Sequence, residues 1–99
     1  MSRPPLLSPE ETAARLGELP GWRLEGSSLR RDFLFADFGE AFAFMTRVAL
    51  AAEKLDHHPD WSNAWNRVSV TLTTHDAGGV TELDFRLASL MDRLMKKTE

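Results

Sequence analysis

The spacing of apolar residues changes several times along the chain, and the first change marks a short helix near the N-terminus. Ser8 suits an N-cap and Pro9 suits the first helical position. Glu11 stands where a capping box places a carboxylate. We therefore predict a helix that runs to about Leu16 and is stopped by Gly17.

A hairpin is predicted after this helix. Strands at residues 22–25 and 29–36 are separated by Gly26-Ser27-Ser28, a sequence typical of a turn. Residues of one parity in the second strand are apolar, which gives that strand one apolar face: Leu29, Phe33 and Phe35. Arg31 interrupts this face.

A second hairpin follows further along the chain, turning near Asn66. Apolar and polar residues alternate on both sides of that turn, with Val68, Val70 and Leu72 on the apolar side of the last strand. If this strand stays regular, His75 belongs to its polar parity and points away from Val70 and Leu72. It can then face a pocket.

The longest helix is predicted between the two hairpins. Asp37 and Glu40 form a second capping box, and the helix should run to about Leu55. At about 100° per residue, one stripe is apolar and should face the sheet: Phe38, Ala41, Phe42, Met45, Val48, Ala49, Ala52 and Leu55, widened by Phe44 and Ala51. Leu50 falls opposite, where it is either a single exposed leucine or part of a subunit contact.

A third capping box, "TELD" from Thr81, opens the C-terminal helix. Its apolar stripe consists of Leu83, Leu87, Leu90, Met91 and Leu94. Asp84 can be explained as part of the cap. It also falls inside the apolar arc, between Met91 and Met95, where a charge needs a partner or a pocket.

These elements follow the order α-β-β-α-β-β-α. Segregated antiparallel strands and amphipathic helices indicate an α+β fold, with a four-stranded antiparallel sheet and three helices on one face. The 99 residues, 42% of them hydrophobic, are enough for a single domain over residues 1–99. The first seven residues, with Pro4-Pro5, should form a loose arm.

Composition excludes several kinds of protein. The chain has no cysteine, so disulfides and thiolate catalysis are excluded. A net charge of −3 gives no broad cationic field, which argues against direct nucleic-acid binding. With no long apolar run and no secretory signal pattern, we expect a soluble, cytoplasmic protein without membrane contact. Its small core makes a homo-oligomer plausible.

All three histidines lie between Glu53 and Asp76, and Pro59 forces the first two into a loop. They can be ordinary surface residues, a metal site, or an acid–base site. A metal site is the weakest of these, because His57 and His58 point apart in extended backbone. The chain also has no H-x-x-x-H or H-x-x-E pattern. The residues alone leave the alternatives open.

Two segments carry a resemblance to a known family. The sequences "EKLDHHPDW" from Glu53 and "NRVSVTLTTHDAGGVTELD" from Asn66 resemble the pterin-4a-carbinolamine dehydratases. These pterin-recycling enzymes also act in animals as dimerisation cofactors of a homeodomain transcription factor. The resemblance extends from "GW" at Gly21 through "FMTRVALAAEKLDHHP" to "LASL" near the C-terminus. It implies the fold predicted above, and dimers or tetramers assembled through the long helix.

The resemblance implies loss of water from a 4a-hydroxytetrahydropterin, the product left when an aromatic amino acid hydroxylase uses its pterin. That reaction needs a base near N5 and an acid near the 4a hydroxyl, with no cofactor and no metal. A hydroxylase is therefore a candidate partner. The resemblance makes His57, His58 and His75 the active-site histidines, with His57 and His75 transferring protons and His58 holding the pterin.

Four further residues are assigned to substrate binding by the same resemblance. Pro59 would hold the first two histidines in place, and Asp84 matches the acid that helps organise the pocket. Trp22 matches a family aromatic, although a core or edge aromatic is the simpler role. Glu53 is a weaker candidate, since a glutamate at a helix end is usually just solvated.

The chain departs from the animal members at two positions. Leu83 stands where they usually have a basic residue, and Trp65 where they have an aromatic hydroxyl. Leu83 removes a possible charge beside the pocket but leaves the three histidines in place. Two other functions remain as alternatives: a non-catalytic dimerisation or coactivator module built on the long helix, and a small metal-binding regulator built on the histidines.

Overall fold

The computed structural model describes residues 4–98. It contains three α-helices, four strands and one short 3₁₀ turn. The helices are α1 (Pro9–Leu16), α2 (Phe38–Leu55) and α3 (Glu82–Thr98). The strands are β1 (Arg23–Glu25), β2 (Ser28–Leu34), β3 (Asp60–Ala64) and β4 (Arg67–Leu72). The 3₁₀ turn, His75–Ala77, follows β4.

The four strands form one antiparallel sheet in the order β1-β2-β4-β3. This arrangement confirms the predicted α+β fold and its element order. β4 lies at the centre, paired with β3 through a two-residue turn and with β2 across the intervening helix. Its register with β2 sets Leu72 against Leu29 and Val68 against Phe33, so the apolar residues of both strands share one face.

A single apolar cluster fills the space between this face and the helices. Phe33 from β2 packs against Phe44 from α2, with ring centroids 4.8 Å apart. Leu87, Ala88 and Met91 bring α3 into the same cluster. Burial of this cluster supplies the main favourable free energy of folding, because it removes apolar surface from water. No helix among residues 4–98 is both long and apolar enough to cross a membrane.

The apolar stripe of α2 was predicted too broadly. The side chains that are buried are Ala41, Phe44, Val48 and Ala52. Phe38 and Phe42 are 49% and 56% exposed, and Ala49 is exposed as well. The core-facing line therefore runs through Phe44, which had been placed at the edge of the stripe. Leu50 is 66% exposed, as expected for the opposite side of the helix.

The end of β4 also differs from the prediction. The strand stops at Leu72, and Thr74 then forms an isolated bridge to Gly79. His75 starts the 3₁₀ turn instead of continuing the strand parity. Gly78 closes that turn with φ of 81°, a left-handed conformation that glycine adopts at little cost.

Smaller differences affect the hairpins and helix caps. The first hairpin turns on Gly26 and Ser27 alone, since Ser28 already pairs with Glu25. The Ser8 capping box is present as predicted. At α2, the Asp37 side chain accepts from the Glu40 amide, but the Glu40 carboxylate accepts from Ala36 and not from Asp37.

The N-terminal segment is less loose than expected where it is described. The Leu7 amide donates to the Val80 carbonyl at 3.1 Å, and Leu6 packs over Gly79. These contacts fix the segment against the chain that follows the 3₁₀ turn. Residues 1–3 of the predicted arm lie outside the described residues. A single domain over residues 1–99 stays a prediction, because its two ends are not described.

Candidate active site

The end of α2 places the first two histidines. Asp56 takes a left-handed conformation with φ of 55°, and its amide donates to the Glu53 carbonyl. The next amide, of His57, donates to the Ala52 carbonyl at 3.2 Å. This pair of bonds is a Schellman motif, which reverses the chain at a helix C-terminus. Pro59, half-buried, then prevents the helix from continuing.

His57 is buried against Asp84 from the first turn of α3. Their side chains are 7% and 0% exposed, and Nε2 of His57 lies 2.6 Å from Oδ1 of Asp84. A carboxylate so completely removed from water needs strong hydrogen-bond partners. The charge that sequence reasoning placed inside the apolar arc of α3 therefore has its partner in the histidine.

The second carboxylate oxygen of Asp84 is also satisfied. Oδ2 accepts from the Thr74 hydroxyl and from the Thr81 amide, each at 2.9 Å. The bond from Thr81 is the returning half of the predicted capping box. The other half is altered, because the Thr81 hydroxyl accepts from the amide of Leu83 at 3.2 Å. Asp84 is thus both a helix cap and the partner of His57.

The other two histidines also have carboxylate partners, but at the surface. Nε2 of His58 lies 2.9 Å from Glu53, and Nε2 of His75 lies 3.2 Å from Asp60. The His58 and His75 side chains are 57% and 76% exposed. Asp60 was not predicted as a site residue. Its contact with His75 depends on where β4 ends beside β3, which the local sequence pattern does not show.

The three histidines line one cavity of about 150 Å³. The remaining lining residues are Thr73, Thr74 and Asp76. The cavity lies where the end of α2, the end of β4 and the 3₁₀ turn meet. The His57 side chain reaches the cavity from a buried position on Asp84, while the side chains of His58 and His75 are exposed to solvent. Thr73 and Thr74 were also missed by sequence reasoning, which treated them as ordinary strand residues.

Trp22 lies apart from the residues that line this cavity. Its side chain is 5% exposed, packs edge-on against Phe33 and donates to Asp92 of α3 at 2.9 Å. Arg31, which interrupted the apolar parity of β2, donates to the same Asp92 oxygen at 2.7 Å. The position of Trp22 fits the simpler role of a core aromatic, and its part in substrate binding stays a prediction.

The two positions that depart from animal members differ in their surroundings. Leu83 is buried at the start of α3. Trp65 occupies the β3–β4 turn with φ of 51° and is 66% exposed. A side chain with a Cβ rarely adopts this conformation outside tight turns. Neither residue is among those that line the histidine cavity.

An ion pair holds the start of α3 against α1. The Arg15 guanidinium donates to both carboxylate oxygens of Glu82, two residues before Asp84. The hydrogen bond from Arg15 lowers the pKa of Glu82, although desolvation works in the opposite direction. The Arg15 guanidinium also lies 4.8 Å from the ring centroid of Phe85. These contacts fix the helix turn that carries Asp84.

The side chains around the cavity have the chemistry needed to transfer protons. Imidazole gains and loses a proton near neutral pH, and a carboxylate partner fixes its orientation. Among the residues that the structure describes, no group of three or more histidines and carboxylates is arranged to hold a metal ion.

Comparison with known proteins identifies the family. The sequence profile described as pterin 4 alpha carbinolamine dehydratase matches residues 5–94. The chain belongs to this family. Within the dehydratase family, a protein of Mesorhizobium japonicum, provisionally named pterin-4-alpha-carbinolamine dehydratase, is 61% identical over 88 residues. The match covers 87% of this chain and 90% of the relative.

Two solved structures of dehydratase-like proteins are similar to this chain. A Brucella melitensis protein described as a transcriptional coactivator/pterin dehydratase has a TM-score of 0.87 and 49% identity, covering 90% of this chain and 97% of its own. A pterin dehydratase-like protein described as a RuBisCO assembly factor in the alpha-carboxysome has a TM-score of 0.66 and 26% identity. That match covers 76% of this chain and 89% of the other.

Proposed function

We propose that this chain dehydrates 4a-hydroxytetrahydropterins to quinonoid dihydropterins, and so recycles the cofactor of an aromatic amino acid hydroxylase. The observation that carries the proposal is the meeting of His57, His58 and His75 at one cavity, each beside a carboxylate. Membership of the dehydratase family supports the same reaction.

The proposed chemistry requires two proton transfers and no change of oxidation state. A base removes the proton from N5, and the N5 electron pair forms the C4a=N5 double bond. The C4a–O bond breaks as an acid protonates the departing hydroxyl, which leaves as water. We assign these transfers to His57 and His75, and substrate holding to His58, Pro59 and Glu53. Asp84 would organise the pocket by holding His57. Positioned acid–base groups contribute roughly 10²–10⁴-fold to a rate.

Stopped-flow spectroscopy of 4a-hydroxytetrahydropterin dehydration tests the proposal. The chain should accelerate the decay well above the buffer-catalysed background, and the double variant His57→Ala, His75→Ala should return it to that background. An equal concentration of Arg86→Ala, changed at an exposed residue of α3, serves as the protein control. A wild-type rate equal to the background would overturn the proposal.

A homo-dimer or tetramer assembled through α2 belongs to the same proposal. Three large apolar side chains on the outward side of that helix are exposed: Phe38, Phe42 and Leu50. Exposed apolar surface of this kind is typical of contact sites. We also propose a cytoplasmic location and a hydroxylase partner, because the proposed substrate is the pterin product of an aromatic amino acid hydroxylase.

A non-catalytic role is the alternative, and the names of the two solved relatives favour keeping it. One is described as a coactivator as well as a dehydratase, and the other as an assembly factor. Both roles would use the outward side of α2 or another surface, and neither needs the histidine cavity. An inactive but fully folded oligomer would favour this alternative.

A further inference from the structure

Two threonines lie buried beneath the histidine cavity. Thr74 follows β4 and is 2% exposed, and Thr81 precedes α3 and is fully buried. Their hydroxyl oxygens are 2.7 Å apart. Because a buried hydroxyl that fails to bond costs free energy, the direction of each bond in this group is constrained.

The number of hydrogens available fixes those directions. The carboxylate of Asp84 can only accept, so the Thr74 hydroxyl must donate to Oδ2. That hydroxyl has one hydrogen, so it can only accept from Thr81. The Thr81 oxygen meanwhile accepts from the Leu83 amide, which completes the chain. Every hydrogen in the group then has one acceptor.

The same reasoning extends to His57. The Asp84 carboxylate acts as an acceptor here as well, and its partner at Oδ1 is a ring nitrogen of His57. Nε2 of His57 is therefore the donor to Oδ1 of Asp84. In the neutral ring the other nitrogen, Nδ1, then carries the lone pair. Nδ1 makes no hydrogen bond within residues 4–98, and His57 lines the cavity.

We propose that Thr74 and Thr81 are positioning residues that hold Asp84 as an acceptor and so keep the His57 proton on Nε2, leaving Nδ1 as the base. The inference rests on the proposed dehydratase function. Without the Thr74 hydroxyl, Oδ2 of Asp84 keeps the Thr81 amide alone. The carboxylate can then rotate until Oδ1 no longer faces Nε2 of His57. Without that acceptor, nothing selects the tautomer with the proton on Nε2 over the tautomer with the proton on Nδ1.

Nitrogen-15 NMR of histidine-labelled protein tests the hydrogen-bond assignment directly. Free of pterin and near pH 8, wild-type His57 should show a protonated Nε2 and an unprotonated Nδ1. Thr74→Ser keeps the hydroxyl and should show the same pattern. Thr74→Val keeps the shape without the hydroxyl and should show a mixture of tautomers.

Steady-state kinetics supply the second readout. Thr74→Val should lower kcat by about 10–100-fold with KM changed less than about twofold, and Thr74→Ser should recover most of the loss. If the role of Thr74 were purely structural, the kcat of each variant would fall only in proportion to its folded fraction. Equal kcat in the Val and Ser variants, or a single Nε2–H tautomer in Thr74→Val, would overturn the proposal.

The wild-type spectrum keeps the test decisive even if Thr74→Val does not fold. A His57 proton found on Nδ1 in the wild type would overturn the assignment without any variant. The NMR measurement needs no catalysis. An inactive wild type with the expected tautomers would therefore contradict the dehydratase proposal and leave the hydrogen-bond assignment standing.

Discussion

His57 and His75 are both proposed to transfer protons, but their surroundings differ greatly. His57 is buried on a carboxylate, and its replacement by alanine would leave that carboxylate short of a partner. Such a loss costs about 1–3 kcal/mol in addition to any effect on the rate. His75 is 76% exposed, so its removal should report on chemistry alone.

We predict that His75→Ala lowers the rate of pterin dehydration by about 10²–10⁴-fold. Its free energy of unfolding should stay within about 0.5 kcal/mol of wild type, because the side chain contributes little burial. Stopped-flow rates and urea denaturation measure the two quantities. Ser62→Ala, at an exposed position of β3, is the control. A wild-type rate for His75→Ala would remove it from proton transfer.

Asp84→Asn should lower the dehydration rate by about 10²–10⁴-fold, more than its loss of stability explains. The amide oxygen must face Thr74 and Thr81, which leaves the NH₂ group towards Nε2 of His57. Nε2 would then have to accept, and the ring proton would move to Nδ1. Rates and urea denaturation on one preparation test this. Full activity in the folded fraction would leave Asp84 as a helix cap alone.

Sequence reasoning identified the histidines and Asp84 but not their pairing. The pairing of His57 with Asp84 joins residues 27 positions apart, and it depends on how α3 docks against the end of α2. Local pattern carries no information on that docking. The Thr74 and Asp60 contacts were missed for the same reason, since each depends on where β4 ends relative to β3.

At the scale of elements, helix limits were predicted better than helix orientation. Caps such as Ser8 and Asp37 are local signals, and both α1 and α2 begin where those signals place them. The orientation of α2 was harder, because apolar residues cover more than half of its circumference. Periodicity alone cannot show which of several apolar faces is buried. The face of α2 that is buried depends on where α3 packs.

We predict that Leu50→Glu shifts the protein towards a smaller oligomer in light scattering. If the outward side of α2 is buried between subunits, the new carboxylate would lose water without gaining a partner. Phe42→Glu tests the neighbouring face, because Phe42 lies about a quarter-turn from Leu50 around the helix axis. Leu24→Glu changes an exposed leucine on β1 as a control. An unchanged mass for both α2 variants would assign these residues to solvent.

The Arg15–Glu82 pair predicts a pH-dependent difference in stability. The pKa of Glu82 is lowered in the folded state, so its contribution is present above the ordinary glutamate pKa and is lost as pH falls through the lowered value. Glu82→Gln should cost about 0.5–1 kcal/mol at pH 7, because the pair is partly exposed. Urea denaturation should show this difference shrinking in acid. A difference that does not vary with pH would contradict the ion-pair account.

At the scale of the whole molecule, the residues that line the histidine cavity are distinct from those of the buried apolar cluster. The buried cluster holds β2, β4, α2 and α3 together. The cavity is lined by the segments that follow α2 and β4. This separation explains why the fold was predictable from periodicity. The site required either a known family or the structure.

Metal independence is the prediction that concerns the molecule as a whole. Exhaustive treatment with a chelator should leave the dehydration rate unchanged, because the proposed proton transfers use the protein's own imidazoles. The same preparation should be measured before and after dialysis, with added zinc as the reverse test. A rate that falls on chelation and returns with zinc would contradict the acid–base proposal.

The bond between Trp22 and Asp92 gives the chain an optical reporter of its own assembly. Indole fluorescence depends on the surroundings of the ring, and those of Trp22 are complete only when α3 has docked. The same docking brings Asp84 beneath His57. With Trp61 and Trp65 replaced by phenylalanine, emission from Trp22 during refolding would time the moment at which the histidine cavity acquires its buried carboxylate.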